Sequence, residues 1–277
     1  MRLTPAKVNL HLTVGKSRPL DGRHFVQSLL VPFTRVQDCL ELTPNPPGTG
    51  VTLQLSGRPI PDGDSPETNL ACRAVAAYCQ AARIPPDWNV KLWKSIPMGA
   101  GLGGGSSDAA AALLELEESP HSPKLGGEAL HRLAASLGAD VSFFLNPVPS
   151  LATGIGEILT PLPRFTPPPI RVLYPGFPSP VAWAYANWFR PPYLTPPPWP
   201  PEESTAPWPP ERLWNDLAFA VEEKYPILLQ AKERLRQAGA TGTLLSGSGS
   251  AVLGLFPTQE EADHATLDSL PPHWELL

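Results

Sequence analysis

The residues most able to do chemistry lie in the segment 97–112, PMGAGLGGGSSDAAAA. Glycines at 99, 101, 103, 104 and 105 run directly into Ser106, Ser107 and Asp108, and then into helix-forming alanines. Glycine lets the backbone take positive φ and approach a ligand closely, and serine is a natural cap for a helix that begins there. Free N–H groups and the positive end of a helix dipole then gather around one concavity, an arrangement suited to phosphate. A flexible Gly/Ser linker would not be butted against the alternating segment 89–94 (NVKLWK) on one side and a strong helix on the other. No lysine sits among the glycines, which excludes a P-loop. Gly99, Gly101 and Gly104 spell G-x-G-x-x-G, but Lys91, Lys94 and Pro97 interrupt the preceding strand. The acidic residues downstream (Glu115, Glu117, Glu118) stay in the helix instead of ending a second strand, so a dinucleotide fingerprint fails on context.

Phosphoryl transfer is catalysed mainly by positioning and charge stabilisation, so such a loop needs a carboxylate near the attacking hydroxyl and a cation near the moving group. Lys7, in the alternating segment KVNLHLTV, and Asp140, opening VSFFL after a glycine-closed helix, are the candidates. Taken alone they read as an outward-facing strand lysine and a solvated strand-end carboxylate. The histidines at 11, 121, 131, 264 and 273 show no metal-ligand spacing. Cys39, Cys72 and Cys79 form no CxxC, which excludes a disulfide framework and a cysteine zinc site.

The elements that must position these groups are legible in outline. Residues 7–14, 51–55 and 89–94 alternate as half-buried strands, and 170–174, 243–245 and 251–256 also read as strands. Helices are expected over 69–83 (capped by Thr68 or Asn69), 107–118, 128–137 (closed by Gly138), 217–239 and 259–270. Strands followed by helices, without strict βαβ alternation, indicate an α+β protein. The length of 277 residues suits two domains, divided here as 1–148 and 149–277 near the proline cluster 161–169. The 38 prolines concentrate in 191–210, a stiff surface connection that Tyr193, Trp199 and Trp208 are expected to pack onto the body. A net charge of −5 disfavours a nucleic-acid partner held by phosphate neutralisation. No run approaches the roughly 18 apolar residues of a spanning helix. The N-terminus lacks a signal-peptide pattern, so a cytoplasmic protein with no membrane partner is expected.

The run Pro97-Met98-Gly99-Ala100-Gly101-Leu102-Gly103-Gly104-Gly105-Ser106-Ser107 resembles the phosphate loop of the GHMP kinases, the relatives of galactokinase, homoserine kinase and mevalonate kinase. The extra glycines are similar to one branch, whose acceptor is a cytidine diphosphate derivative of a methylerythritol. Pro5-Ala6-Lys7-Val8-Asn9-Leu10 resembles its first motif and Gly138-Ala139-Asp140-Val141 its G-A-D-V-P motif, with Ser142 in place of proline. Residues 245–251, LSGSGSA, resemble its third glycine-rich motif, including Gly247 and Gly249. Gly154–Glu157 and Asn215-Asp216-Leu217 fall where the family has G-x-G-E and N-D-L elements.

The resemblance implies an N-terminal domain like ribosomal protein S5 and a smaller α/β sandwich. It implies ATP and Mg²⁺ as cofactors, with ATP on residues 97–107, and phosphorylation of a tertiary 2-hydroxyl in the non-mevalonate isoprenoid route. It makes Asp140 the general base and Lys7 the residue that pairs with it and stabilises charge. It places Asn9, Gly247 and Gly249 at the acceptor. Asp21-Gly22-Arg23-His24 resembles the family's D-G-[YF]-H, in which histidine contacts the cytosine; Arg23 stands where an aromatic residue stacks. Trp183, with Tyr185 next, is the expected stacking residue on the far side. The magnesium ligand is open among Ser106, Ser107 and Asp108, the last of which is alternatively only a helix cap. Two other readings remain: a GHMP kinase for mevalonate or homoserine, and a non-catalytic nucleotide-binding relative.

Overall fold

The computed structural model describes residues 1–58, 64–198, 208–267 and 270–277. They form two compact units that interleave along the chain. The first comprises Met1–Ala6, Phe33–Met98 and Gly103–Pro147, the second Lys7–Pro32, Gly99–Leu102 and Val148–Leu277. Two long strands, β1 (Arg2–Ser17) and β2 (His24–Pro44), contribute residues to both.

In the first unit, β4 (Trp88–Lys94) lies between the C-terminal half of β2, antiparallel to it, and β3 (Thr52–Gly57), parallel to it. Parallel neighbours need a crossover, and α1 (Leu70–Ala82) supplies it. Asn69 caps α1, its Oδ1 accepting from Ala71 N at 3.0 Å and Cys72 N at 3.4 Å. The first unit is completed by α2 (Gly104–Glu118), α3 (Gly127–Leu137) and α4 (Ala139–Phe144). Ala109 to Ala112 are buried on α2, as are Ala71 and Ala74 on α1, and these small side chains let the two helices approach closely. Cys72 and Cys79 are buried free thiols on α1 and pack without bridging.

In the second unit, β1 and β2 are joined through a turn in which Arg18 N donates to Arg23 O at 2.6 Å. β5 (Ser150–Thr153) pairs with β2 and with β6 (Ile158–Pro161), and β8 (Trp214–Asn215) runs parallel to β1. A separate antiparallel sheet contains β7 (Ile170–Tyr174), β9 (Gly242–Leu245), β10 (Val252–Leu255) and β11 (Glu275–Leu276), in the order β11-β7-β10-β9. The helices are α5 (Val181–Ala186), α6 (Asp216–Lys224), α7 (Ile227–Gln237) and α8 (Gln259–His264). Leu173, Leu245 and Val252 from the sheet, with Phe256 just after β10, share a core with Val221, Leu228, Ala231 and Leu235 from α6 and α7. The architecture is α+β.

Five expectations change. The segment VSFFL is helical, not a strand. Val141, Ser142, Phe143 and Phe144 are buried on every side of the short α4, and a helix buried all round has the same apolar run as a buried strand. The helix expected over 217–239 is two helices, broken where Pro226 lacks an N–H and drives Tyr225 out of the helical region (φ −125°, ψ 75°). The last helix stops at His264. In the proline-rich stretch Trp208 is buried, edge-on to His11 and Phe165, whereas Tyr193 is 82% exposed and packs nothing down; Trp199 lies outside the described residues. Gly138 closes α3 in an extended conformation (φ 174°, ψ 148°), not as a left-handed cap.

Candidate active site

The glycine segment is pinned through its carbonyls. Within the second unit, Gly99 O accepts from Ser179 N (2.8 Å), Ala100 O from Ala251 N (3.1 Å) and Leu102 O from Lys7 N (2.9 Å). Gly101 O accepts from Ser246 Oγ at 3.2 Å. Gly101 itself has φ +76°, and a Cβ there would stand 2.0 Å from Ser246 O. An alanine at 101 costs about 1–2 kcal/mol for the left-handed backbone alone, before the clash. A melt of Gly101→Ala is therefore expected to show a Tm lower by at least about 3 °C.

Gly103 (φ +74°) then leads into α2, whose first turn has no side-chain cap. The N–H groups of Gly104, Gly105 and Ser106 have no acceptor within the helix, and a Cβ on Gly105 would meet nothing within 4 Å. Unpaired N–H donors at a helix start are of a kind that suits phosphate.

The first unit braces the strand that enters this loop. Asp38 Oδ1 accepts from Ser95 N (2.5 Å) and Ile96 N (2.7 Å), and Lys94 Nζ donates to the carboxylates of Asp38 and Asp108. Asp108 also accepts from Thr4 Oγ1 at 2.9 Å. Side-chain exposure is 6% for Lys94, 0% for Asp38 and 4% for Asp108. Burial, with the Asp38 charge adding to it, raises the Asp108 pKa to about 6 against the pull of Lys94. The two aspartates hold Lys94 above its ordinary value despite its burial. Asp108 is thus neither a helix cap nor an uncommitted magnesium ligand. This triad was not foreseen in the sequence; its one signal is a lysine on the inward face of an alternating strand.

The second unit gathers Lys7, Asn9 and Gly247. Lys7 is 4% exposed, and its Nζ donates to Asn9 Oδ1 at 2.7 Å. Asn9 Nδ2 donates to Ser28 Oγ at 2.7 Å, and Ser28 Oγ to His11 O at 2.8 Å, which fixes the orientation of the Asn9 amide. Gly247 (φ +54°) leaves room at the point where a Cβ would lie 3.2 Å from Lys7 Nζ and 3.3 Å from Asn9 Oδ1. Gly249 turns the same loop, its N–H donating to Ser246 O at 2.8 Å. Asp140 belongs to the first unit, half-buried in the first turn of α4.

The residues expected to recognise a base are arranged as follows. His24 Nδ1 lies 3.0 Å from Gly15 O and, since a carbonyl only accepts, carries the hydrogen. Nε2 of the neutral ring is then an acceptor. Tyr185 stacks on the His24 ring (6.0 Å between centroids, 21° between planes) and Trp188 meets it edge-on at 5.9 Å. Trp183 points elsewhere: it packs against the core of the second unit with Lys224 Nζ 3.7 Å above its ring. Residues two apart on a helix face roughly opposite ways, so α5 could send only one of Trp183 and Tyr185 toward His24. Arg23 is held within its own turn, donating from Nε to Asp21 Oδ2 at 2.8 Å. Arg18 beside Asp21 holds that carboxyl far below the usual range.

Among the described residues no group of three or more His, Cys, Asp or Glu is placed to hold a metal ion, and no helix is long and apolar enough to cross a membrane. Residues 69–146 match the model of the GHMP kinases N terminal domain and residues 211–267 that of the GHMP kinases C terminal. A 4-diphosphocytidyl-2-C-methyl-D-erythritol kinase of Geobacter metallireducens is 38% identical, the match covering 93% of this chain and 89% of that protein. One of Solidesulfovibrio magneticus is 39% identical over 93% and 88%. A crystal structure of 4-(cytidine 5'-diphospho)-2C-methyl-D-erythritol kinase superposes with a TM-score of 0.74 at 38% identity, covering 95% of this chain and 92% of that one. A homoserine kinase from Cytophaga hutchinsonii shares the fold (TM-score 0.63) at 17% identity. Likeness of this degree, kept along most of the length of both partners, places the chain in the 4-diphosphocytidyl-2-C-methyl-D-erythritol kinase family of the GHMP kinases, which use ATP.

Proposed function

We propose that the protein transfers the γ-phosphoryl group of ATP to the 2-hydroxyl of 4-diphosphocytidyl-2-C-methyl-D-erythritol. The observation that carries this reading is the convergence of Lys7 Nζ and Asn9 Oδ1 on the Gly247 backbone, in a chain whose relatives bear that substrate in their names. The segment 97–107 binds the triphosphate, with the first-turn N–H groups of α2 opposing its charge. Asp140 accepts the proton of the 2-hydroxyl. Lys7 balances charge at the reacting centre, and Asn9, Gly247 and Gly249 orient the acceptor alcohol. His24 Nε2 accepts from the cytosine amino group, a donor by its chemistry. Tyr185 and Trp188 hold the His24 ring in place, and Tyr185 replaces Trp183, which packs under Lys224, as the aromatic residue proposed on the cytosine side. Mg²⁺ accompanies ATP and neutralises phosphate charge when bound; with Asp108 engaged by Lys94 and Thr4, the hydroxyls of Ser106 and Ser107 are the candidates to hold it. The division 1–148 and 149–277, a cytoplasmic location and the absence of a nucleic-acid partner complete the proposal.

The test is ADP release from ATP with the cytidyl alcohol, with mevalonate and with homoserine. Turnover confined to the first supports the reading. Turnover with another alcohol replaces the substrate assignment, and ATP binding without turnover on any of them favours a non-catalytic relative.

A further inference from the structure

We propose that Asn215 is a positioning residue for phosphoryl transfer, its amide group holding the third glycine-rich loop against Lys7; the inference rests on the kinase reading above. Asn215 is 3% exposed, in extended backbone (φ −150°, ψ 109°), at the end of β8 and paired with Leu12 of β1. Its Oδ1 accepts from Leu217 N at 2.9 Å and so caps α6. Its Nδ2 donates to Leu245 O at 2.8 Å and to Gly247 O at 2.7 Å. Capping alone would be served equally by aspartate or serine. Only the two donated bonds require an amide; one goes to the last residue of β9 and the other to Gly247 in the loop that follows it.

That loop has little freedom to shift. Gly247 leaves 3.2 Å between an added Cβ and Lys7 Nζ, and 3.3 Å to Asn9 Oδ1 and to Gly101 O. The neighbouring Asp216 ties the same short segment to the strand bearing Lys7 and Asn9: it is fully buried and accepts from Val14 N of β1 at 2.7 Å, from Trp214 Nε1 at 2.7 Å and from Arg190 Nε at 2.8 Å. The pair Asn215-Asp216 therefore joins the loop on one side to β1 on the other, and sets the distance between Gly247 and the lysine amine.

The experiment compares wild type with Asn215→Asp and Asn215→Ser, both of which keep an oxygen for the α6 cap; ionised aspartate donates nothing, and the shorter serine has one hydroxyl donor in place of the two amide hydrogens. With ATP and the cytidyl alcohol, kcat per folded molecule is expected to fall about 100-fold, because displacement of a reacting centre by about 1 Å has that effect. KM for ATP should stay within about threefold of wild type. The ratio of Asn215→Asp to wild-type kcat should rise as pH is lowered from about 8 to 6, since a protonated carboxyl regains one donor. A merely structural role would lower the folded fraction and leave this ratio flat. Amide hydrogen exchange, read without substrate, gives a second measure: the Ser246 and Gly249 amides should exchange at least about tenfold faster in both variants while Leu217 stays protected. Wild-type kcat per folded molecule in both variants, or unchanged exchange at Ser246 and Gly249, would overturn the inference. Failure of the wild type to turn over any alcohol would instead sink the kinase reading, while the exchange measurement still decides whether Asn215 holds the loop.

Discussion

Asp140→Asn is expected to lower kcat by at least about 10³-fold, near the upper part of what a positioned general base contributes, while the Kd for ATP changes little. The substitution is nearly isosteric, and the packing of α4 rests on Val141, Phe143 and Phe144 rather than on residue 140, so Tm should hold. What is lost, if Asp140 has the proposed role of base, is the ability to take the proton of the attacking hydroxyl. In the proposed reading ATP meets the glycine segment and the start of α2, groups this change leaves alone. Steady-state kinetics with a parallel ATP titration checks the prediction. A variant with kcat within about tenfold of wild type would remove Asp140 from the role of base.

The second large effect concerns stability. Lys94→Met leaves Asp38 and Asp108 buried beside each other without a countercharge, and breaking a buried pair in this way costs about 3–5 kcal/mol. The loss should appear in denaturant unfolding as a lower midpoint at unchanged slope. Asp108→Asn should act in the opposite sense at neutral pH, because it removes the surplus negative charge and leaves Lys94 matched by Asp38. The pH dependence follows from the raised pKa. Folded Asp108 holds its proton up to about pH 6, whereas unfolded aspartate releases it near 3.8, so folding takes up a proton between those values. The stabilising contribution of this group therefore grows as pH falls from about 6 toward 4, and is lost as pH rises through 6. The stability difference between wild type and Asp108→Asn should accordingly shift in favour of wild type on acidification over that interval. A difference independent of pH would show that Asp108 is already ionised throughout it.

How much of this could be read from the chain depends on the distance over which each feature is encoded. The glycine segment, the Asn69 cap of α1, the strand β7 and the alternating pattern of β1 and β4 are settled by residues a few positions apart, through φ preference, capping and side-chain periodicity. Lys7, Asn9, Gly247 and Gly249 were singled out by motif, and the structure adds how three of them meet: Lys7 on Asn9, both against Gly247. The split of α6 from α7 was also written locally, at Pro226, and was overlooked.

Other features had no local signature. VSFFL has strand-like composition and is a helix because α2 and α3 pack against α4. Trp183 and Tyr185 are two residues apart on α5, and only the placement of that helix in the second unit directs Tyr185 to His24 and Trp183 to Lys224. Lys94 meets Asp38 from 56 positions away, and Asn215 reaches Gly247 across 32. The sequence by itself determined the α+β class and the glycine segment that opens α2, and it marked the residues proposed to carry the chemistry, since those depend on backbone conformations and residue types that each stretch imposes on itself. The tertiary structure alone decided which buried polar groups satisfy one another. Most buried donors and acceptors find a partner, and that partner is selected by how the strands and helices pack, not by what lies beside it in the chain.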